Sequence, residues 1–305
     1  MAPTMIVTKR TTFLVGTRGS ALARWQTSWV IEHLRIVWPK TTFETKLFQT
    51  SGDKLLDKPL PEIGGKGVFT EELENALRRG EIDLAVHSFK DLPIDNAVGL
   101  TIGTVCSRED ARDVLISRDH RRLSELPRGA SVGTSSLRRA AQLLAARSDL
   151  KLLSLRGNVD TRVRKAMNGD YAAIVLAAAG VIRLGLTSDI AEYLSFDVML
   201  PAPGQGALAV QCRSDDPVTL ELLAPIDDAA SRNAVTAERA FLGGLGVGCS
   251  TPVAAYAHAG NLVGLVASKD GRRVIRVNGA GNDPVALGAG LAHRALAQGA
   301  GELLR

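Results

Sequence analysis

Short apolar runs alternate with helix-like segments twice in succession along the first two-thirds of this chain. This rhythm restricts the possible folds more than any other feature, because it is typical of a mostly parallel sheet covered by helices. The first round predicts strands at 12–16, 43–49, 83–86 and 100–105, with helices at 20–38 and 69–79.

The second round begins near residue 108 and predicts a second unit of the same kind. Two α/β units in tandem predict two lobes of similar size, and ligands of such folds bind in the cleft between them, beyond the carboxyl ends of strands. The predicted strands are 114–117, 131–133, 152–155, 172–177 and, after the turn-rich segment 201–206, 207–212; the predicted helices are 136–147 and 159–168.

The last part of the chain has a different pattern and predicts a small α+β domain. A helix leads into a glycine-rich loop, strand-like runs follow, and Asp283-Pro284 is a favourable start for a final helix. The predicted helix is 229–242, the loop is 243–251, and the strands are 252–258, 261–268 and 273–277.

Length, charge and cysteine content narrow the class of protein. The 305 residues suggest two or three domains. The net charge of +5 allows a nucleic acid, a membrane surface or an acidic small molecule as partner. Three cysteines without a CxxC pair do not make a disulfide framework or a metal cluster. With no apolar signal segment at the start and no membrane-length apolar run, we expect a cytoplasmic protein without a metal site.

Arginines follow several predicted strands, at the edge where a ligand would bind. Segment 133–139 (GTSSLRR) combines a tight turn, hydroxyls and backbone N–H groups at a helix start, and two guanidinium groups. These features predict an anion site, although a solvated helix face explains this segment alone equally well. The arginines are Arg18, Arg138, Arg139, Arg156, Arg162 and Arg183.

Two further segments carry charged side chains next to flexible backbone. In 85–93 (AVHSFKDLP), Lys90 and Asp91 are either a loop ion pair or, in a cleft, a carboxylate that stabilises a cation or transfers a proton. His87 is favoured as a structural side chain. Segment 64–67 (GGKG) lacks the Ser or Thr of a phosphate loop and fits a glycine-rich lid with one cation.

The three cysteines occupy two kinds of position. Cys106 and Cys212 end apolar strands and are predicted to be buried. Cys249 lies in the loop GLGVGCST. Because no histidine lies near it in sequence, this pattern argues against a protease-like nucleophile and leaves covalent attachment of a ligand open.

Ten motifs in order over residues 12–258 resemble the porphobilinogen deaminase family, also called hydroxymethylbilane synthases. The motifs are GTRGSALARWQ (16–26), GDKLLDKPL (52–60), GGKGVFTEELE (64–74), AVHSFKDLP (85–93), GTSSLRRAAQL (133–143), SLRGNVDTRV (154–163), LAAAGVIRLGL (176–186), PAPGQGALAV (201–210), AERAFL (237–242) and GVGCSTPVAA (246–255).

The resemblance implies two periplasmic-binding-protein-like (type II) α/β lobes and a small C-terminal α+β domain. Domain 1 would comprise 1–106 with 207–224, domain 2 would comprise 107–206, and domain 3 would comprise 225–305. It also implies a dipyrromethane cofactor, joined by a thioether to Cys249. Four porphobilinogens would be condensed onto this primer with loss of ammonia, and hydrolysis would release hydroxymethylbilane.

The resemblance also assigns roles to individual residues. Asp91 would be the catalytic carboxylate, which stabilises the azafulvenium cation formed when ammonia leaves. The carboxylates of the pyrroles would be held by hydroxyl, amide and cationic side chains. Those implied for the cofactor, with Asp91, are Ser88, Lys90, Thr134, Ser136, Arg138, Arg139, Arg156 and Arg162; those implied for the substrate are Arg18, Ser20, Gln26, Lys66, Arg156, Arg183 and Gln205.

Two alternatives explain part of the pattern. A two-lobe binding protein for small anions would account for the arginines but not for the cysteine-bearing third domain. A nucleic-acid binder would account for the charge, but the arginines are not interleaved with aromatic residues and no nucleic-acid motif is present. We therefore expect porphobilinogen as partner, no nucleic acid or membrane, and a monomer.

Overall fold

The computed structural model describes residues 10–50, 70–95, 97–248 and 251–304. The strands are β1 (Thr12–Arg18), β2 (Thr42–Phe48), β3 (Leu84–Ser88), β4 (Leu100–Val105), β5 (Asp113–Ile116), β6 (Ser131–Gly133), β7 (Lys151–Leu153), β8 (Ala173–Ala177), β9 (Ile190–Tyr193), β10 (Leu208–Arg213), β11 (Val253–His258), β12 (Asn261–Ala267) and β13 (Val274–Ala280). The helices are α1 (Ala21–Val37), α2 (Glu71–Arg78), α3 (Leu137–Ala146), α4 (Val159–Met167), α5 (Ala178–Arg183), α6 (Pro217–Leu223), α7 (Ala229–Gly244), α8 (Pro284–Ala297) and α9 (Ala300–Leu303).

Two five-stranded sheets form the two lobes, and both are mixed. The first has the order β2-β1-β3-β10-β4 and the second the order β7-β6-β8-β5-β9. In each sheet four strands run in the same direction, and only the fourth strand in this order, β10 or β5, is antiparallel to both of its neighbours. The prediction of mostly parallel sheets is therefore confirmed. Which strand is reversed could not be predicted, because apolar strands of either direction look alike in sequence when both faces are covered.

The ends of the helices follow the capping signals in the sequence. Ser20 caps α1 by accepting a hydrogen bond from the Ala23 N–H at 3.2 Å. Asp283 caps α8 in the same way, with Pro284 as the first helical residue. Gly80 ends α2 with a positive φ of 69°, a conformation that glycine adopts without the steric cost of a side chain.

The C-terminal domain is an antiparallel sheet of order β11-β12-β13 covered by two helices. Its core packs α7 and α8 against the sheet around the fully buried Phe241. Gly264 lies under that ring, where a Cβ would collide with it. The predicted fold class, two α/β lobes followed by a small α+β domain, is confirmed, while the exact domain boundaries stay a prediction.

One buried carboxylate fastens the C-terminal domain to the lobes. Glu238, on α7, is 0% exposed and accepts hydrogen bonds from both Arg108 Nη atoms, at 2.6 and 3.1 Å. It also accepts from the backbone N–H groups of Gly204 and Ala257, at 2.7 and 2.8 Å. The helix that leads towards the Cys249 loop is thus tied to the 201–206 loop. No helix in the described part of the chain is long and apolar enough to cross a membrane.

Candidate active site

The turn that follows β3 presents Lys90 and Asp91 at the carboxyl end of the first sheet. Phe89–Asp91 form one turn of 3₁₀ helix, anchored by the buried ring of Phe89. Lys90 Nζ lies 3.3 Å from Gln205 Oε1. Asp91 is exposed, and its carboxylate makes no hydrogen bond or ion pair with any described residue. The loop ion pair considered for Lys90 and Asp91 is therefore not formed.

Asp113, at the start of β5, organises the second lobe's side of the site, a role that was not predicted from the sequence. Its carboxylate is 0% exposed and accepts from Arg138 Nη1 at 2.7 Å and from Arg139 Nη2 at 2.7 Å. Gln205 Nε2 donates to the same carboxylate at 2.9 Å. Burial by itself raises the pKa of Asp113, but the two guanidinium groups outweigh it and hold this pKa well below its usual range.

Arg138 and Arg139 begin α3, and both are buried rather than solvated. Arg138 also donates to the carbonyl of Leu200 at 2.6 Å, and Arg139 to the carbonyl of Val175 at 3.2 Å. Burial lowers the pKa of Arg138 because a charged guanidinium loses hydration there. The interpretation of this segment as a solvated helix face was wrong.

The hydroxyls predicted near this helix start shape its first turn. Ser136 caps α3 by accepting from the Arg139 N–H at 3.4 Å, and Thr134 Oγ1 accepts from the Ser136 N–H at 3.2 Å. Both hydroxyls therefore fix the backbone that carries the two arginines. Their binding of a ligand stays a prediction.

Arg156 and Arg162 add two more cations on the same side of the site. Arg162 Nε donates to the carbonyl of Gly157 at 2.6 Å. Desolvation and the neighbouring charges of Arg139 and Arg156 lower the pKa of Arg162 to about 10, although Asp91 opposes the shift. The guanidinium of Arg156 makes no hydrogen bond or ion pair with the part of the chain that the structure describes.

Lys90 experiences the same excess of positive charge. Desolvation lowers its pKa to about 8, with a further contribution from Arg139 and Arg138, while Asp91 and Asp113 oppose the shift. Lys90 has no carboxylate within ion-pair distance among the described residues. This group of residues therefore has more cations than carboxylates. The five cations are Lys90, Arg138, Arg139, Arg156 and Arg162, and the two carboxylates are Asp91 and Asp113. A ligand that carries several carboxylates would relieve this repulsion.

The first lobe contributes the residues predicted at 18–26. Gln26 is buried and donates to Ser88 Oγ at 2.9 Å, which places α1 against the end of β3. Burial lowers the pKa of His87 to about 4, and the nearby charge of Arg18 lowers it further. Ser20 serves as the cap of α1. Gln26 and Arg18 thus lie near the end of β3, which leads into the Lys90 turn. Contact of Arg18, Ser20 and Gln26 with substrate stays a prediction.

Arg183 joins the two lobes. It is buried at the end of α5, and its Nη2 donates to the carbonyl of Gly206 at 2.7 Å. Its guanidinium lies over the Trp25 ring of α1 at 5.7 Å from the centroid. Desolvation lowers its pKa to about 10, with Glu109 opposing the shift.

Comparison with known proteins identifies the family. Residues 13–221 match the family model "Porphobilinogen deaminase, dipyromethane cofactor binding domain". The chain belongs to the porphobilinogen deaminase family. Residues 233–297 match the family's C-terminal domain. The resemblance of the ten motifs is therefore confirmed over most of the chain, and the cofactor-binding domain is part of this protein.

Curated relatives match the chain almost end to end. The porphobilinogen deaminase of Brevibacillus brevis is 50% identical over 295 residues, which is 95% of this chain and 96% of that protein. That of Desulforudis audaxviator is 52% identical over 297 residues, again 95% of this chain and 96% of the relative. 

Two solved structures of other proteins have a more distant likeness to the lobes. A sulfate-bound OxyR2 regulatory domain from Vibrio vulnificus has a TM-score of 0.43 and 15% identity, covering 73% of this chain and 99% of its own. The periplasmic VFT2 domain of Bordetella pertussis BvgS has a TM-score of 0.40 and 15% identity, covering 70% of this chain and 85% of its own.

The residues present fit the cofactor that defines the family's domain. Dipyrromethane carries acetate and propionate groups, and the site offers a surplus of cations for them, four of which are Lys90, Arg139, Arg156 and Arg162. Guanidinium groups bind carboxylates through two parallel hydrogen bonds, which suits such a ligand.

The two cysteines that the structure describes are buried, as the sequence predicted. Cys106 and Cys212 are buried and have no disulfide partner, and burial raises their pKa values to about 12 and about 11. Such thiols are poor nucleophiles near neutral pH. Cys249 and Lys66 lie outside the described residues, so their predicted roles stay predictions.

Proposed function

We propose that this protein condenses four porphobilinogen molecules head to tail into hydroxymethylbilane, with release of ammonia, on a dipyrromethane primer held by Cys249. The observation that carries the proposal is the unpaired carboxylate of Asp91 beside a cluster of partly desolvated cations. Within a family that acts on porphobilinogen, this arrangement suits a substrate rich in carboxylates whose reaction generates a cation.

The cations of the site would hold the pyrrole side chains. Each acetate or propionate that meets a buried guanidinium gains a charge-assisted hydrogen bond, worth about 1.5–3 kcal/mol. Arg156 and Arg162 suit this role, since neither forms an ion pair within the described ranges. When bound, dipyrromethane supplies the free α-carbon to which the first substrate unit is joined.

Asp91 would handle the positive charge that develops on the substrate. Its carboxylate is exposed at the end of the first sheet and makes no hydrogen bond within the described protein, so it is open to a ligand. A carboxylate placed there stabilises a pyrrole-nitrogen cation by direct attraction and can accept a proton from it. Lys90, one residue earlier, would orient a neighbouring carboxylate of the same ligand.

The activity itself is tested by incubating purified protein with porphobilinogen and measuring ammonia together with hydroxymethylbilane. We expect four ammonia molecules for each tetrapyrrole released. The alternative, a two-lobe protein that binds small anions without catalysis, predicts saturable binding of porphobilinogen and no ammonia. We further propose that the enzyme works as a cytoplasmic monomer with the three domains bounded as the sequence indicated.

Replacement of the anchor cysteine should abolish covalent attachment. Cys249→Ser removes the only atom able to form the thioether at that position, so we expect the intact mass of the denatured variant to equal that of its sequence. The wild-type enzyme should be heavier by the dipyrromethane. Cys212→Ser is the matched control and should keep the added mass, because Cys212 is buried in the core of the first lobe. A Cys249→Ser variant that makes hydroxymethylbilane at the normal rate would contradict the anchor assignment.

Removal of the cofactor should destabilise the protein. In its absence the cations around Lys90 and Arg162 repel one another in a partly desolvated setting, and a ligand bound only to the folded state stabilises that state. We therefore expect apoenzyme, prepared without access to porphobilinogen, to melt several degrees below holoenzyme, in the range that about 1–3 kcal/mol produces for a chain of this size. Differential scanning calorimetry measures the difference, and equal melting temperatures would contradict the charge argument.

A further inference from the structure

The loop 201–206 lies directly against the Lys90 turn. A Cβ on Gly204 would lie 2.9 Å from Phe89 Cδ1 and 3.3 Å from the Lys90 backbone nitrogen. Gly204 and Gly206 both have positive φ, 77° and 90°. These glycines allow the backbone of the loop to approach the turn closely, and they leave the side chain of Gln205 between the two lobes.

The amide of Gln205 is oriented by its neighbours. Its Nε2 donates to the Ala111 carbonyl at 2.8 Å and to Asp113 Oδ1 at 2.9 Å, and both of these atoms are acceptors only. The amide oxygen must therefore point the other way, where it lies 3.3 Å from Lys90 Nζ. The backbone carbonyl of Gln205 is held in turn by Arg108 Nε at 2.8 Å.

Gln205 therefore connects the Lys90 ammonium with the Asp113 carboxylate, which do not contact each other. Asp113 uses its carboxylate to hold Arg138, Arg139 and Gln205. Through the Gln205 amide, the same carboxylate polarises the oxygen that faces the Lys90 ammonium, because hydrogen bonds in a chain strengthen one another in a buried setting. The cations of the second lobe and the lysine of the first lobe thus share one anchoring carboxylate.

We propose that Gln205 is a positioning residue, which holds the Lys90 ammonium in the site and couples it to Asp113, rather than the direct substrate contact that the family resemblance implies. Its catalytic consequence rests on the proposed function. Gln205 is 0% exposed, and its two amide N–H groups already have acceptors in Ala111 and Asp113. A substrate carboxylate would have no donor left to use on this side chain.

The charged groups around Lys90 determine whether its ammonium form is favoured or disfavoured. Arg138 and Arg139 disfavour its ammonium, whereas Asp91 and Asp113 favour it. With a pKa near 8, the ammonium is lost as the pH rises through that value. If Lys90 binds a carboxylate as an ammonium, kcat/KM declines on the alkaline side of the same pH.

Two substitutions remove the acceptor of Lys90 without adding a charge. Gln205→Met keeps the length of the side chain, and Gln205→Leu shortens it by one atom. A glutamate is unsuitable at this position, because its second oxygen would replace Nε2 and face Asp113 Oδ1 and the Ala111 carbonyl, which are both acceptors. We expect the Lys90 midpoint to fall in both variants, because the ammonium loses a hydrogen bond that favours its charged form.

The midpoint is measured on holoenzyme by NMR, with ¹³C-labelled lysine and the Lys90 signal assigned from Lys90→Arg. Gln298→Met makes the same chemical change at an exposed site at the end of α8 and should leave the Lys90 midpoint unchanged. In kinetics, the alkaline limb of kcat/KM should move with the NMR midpoint. For Gln205→Met, kcat should fall about tenfold or more while KM for porphobilinogen changes by less than about twofold.

Several outcomes overturn the proposal. A Lys90 midpoint in Gln205→Met within about 0.3 unit of wild type, where loss of a hydrogen bond to the charged form should lower it further, shows that Gln205 does not act on Lys90. A raised KM with an unshifted pH profile points to direct substrate contact. If Gln205→Met does not fold, Gln205→Leu decides by the same midpoint, because it removes the same acceptor. The NMR titration needs no turnover, so absence of porphobilinogen consumption by wild-type protein would reject the proposed function without deciding the role of Gln205.

Discussion

Asp91→Ala should abolish turnover while leaving the fold and the attached cofactor in place. Removing a group that stabilises a developing charge and transfers a proton costs about 10²–10⁴-fold in rate, and Asp91 is proposed to do both. We therefore expect kcat to fall by at least about 10³-fold. The loss of activity should not reflect unfolding, because the Asp91 carboxylate is exposed and makes no hydrogen bond or ion pair within the described residues.

Three measurements separate chemistry from folding in this variant. Ammonia release reports kcat, intact mass reports the cofactor on Cys249, and the melting temperature should stay within about 2 °C of wild type, as for most surface substitutions. Asp119→Ala removes another exposed carboxylate, 62% exposed in the second lobe, and should retain normal activity. Substantial turnover by Asp91→Ala would show that another group stabilises the cation, whereas a lower melting temperature would show that Asp91 has a structural role.

Much of the fold follows from local signals that act within a few residues. Ser20 and Asp283 cap the helices that begin beside them, and Gly80 ends α2, as the sequence predicted. The strand at Leu100–Val105 and that at Ser131–Gly133 have the predicted bounds. Such signals are readable because a cap or an apolar run depends mainly on its own neighbours in sequence.

The direction of strands and several short elements could not be predicted in this way. β10 returns to the first sheet after the chain has passed through the second lobe, and only tertiary packing decides that it pairs antiparallel. The strand Ile190–Tyr193 and the helix Ala178–Arg183 were not predicted, since four and six residues are too few for a periodic pattern. The helix Pro217–Leu223 was also missed, although Asp216 and Pro217 form a recognisable start for it.

The candidate site was predicted as a set of cations, and the carboxylate that arranges them was not. Four charged residues, Glu109, Asp110, Arg112 and Asp113, lie close together at the start of β5. Nothing in their order shows that Asp113 is buried while Asp110 remains partly exposed beside Arg112. The sequence therefore predicted only ligand binding for Arg138 and Arg139. In the structure, several of their N–H groups bind Asp113 and backbone carbonyls of the second lobe.

Asp113→Asn should cause the largest loss of stability among single substitutions at the site. Asp113 is 0% exposed and pairs with Arg138 and Arg139, each at 2.7 Å. Removing one partner of a buried ion pair leaves uncompensated charge in the interior and costs about 3–5 kcal/mol. The amide can still accept a hydrogen bond from Gln205 but carries no charge to balance two guanidinium groups. Urea unfolding of holoenzyme measures the difference.

Asp110→Asn is the matched control, since it lies three residues away and removes a carboxylate 2.6 Å from Arg112. That pair has side-chain exposures of 40% and 21%, so the change should be below about 1 kcal/mol. Equal small effects of the two substitutions would show that Asp113 does not hold the arginines together in solution.

The pH dependence gives the same prediction an independent test. The pKa of Asp113 is held below its usual range in the folded protein, so its contribution to stability is fully present above the unfolded-state pKa of about 4. The contribution is lost as the pH falls from that value through the lower pKa of the folded state. Wild type should therefore exceed Asp113→Asn in stability by a constant amount from about pH 5 to pH 8, and the two should converge in stronger acid. A gap that does not narrow as the pH falls from about 5 towards the folded-state pKa would mean that the substitution acts through packing, because protonation of Asp113 removes the charge that distinguishes the two proteins.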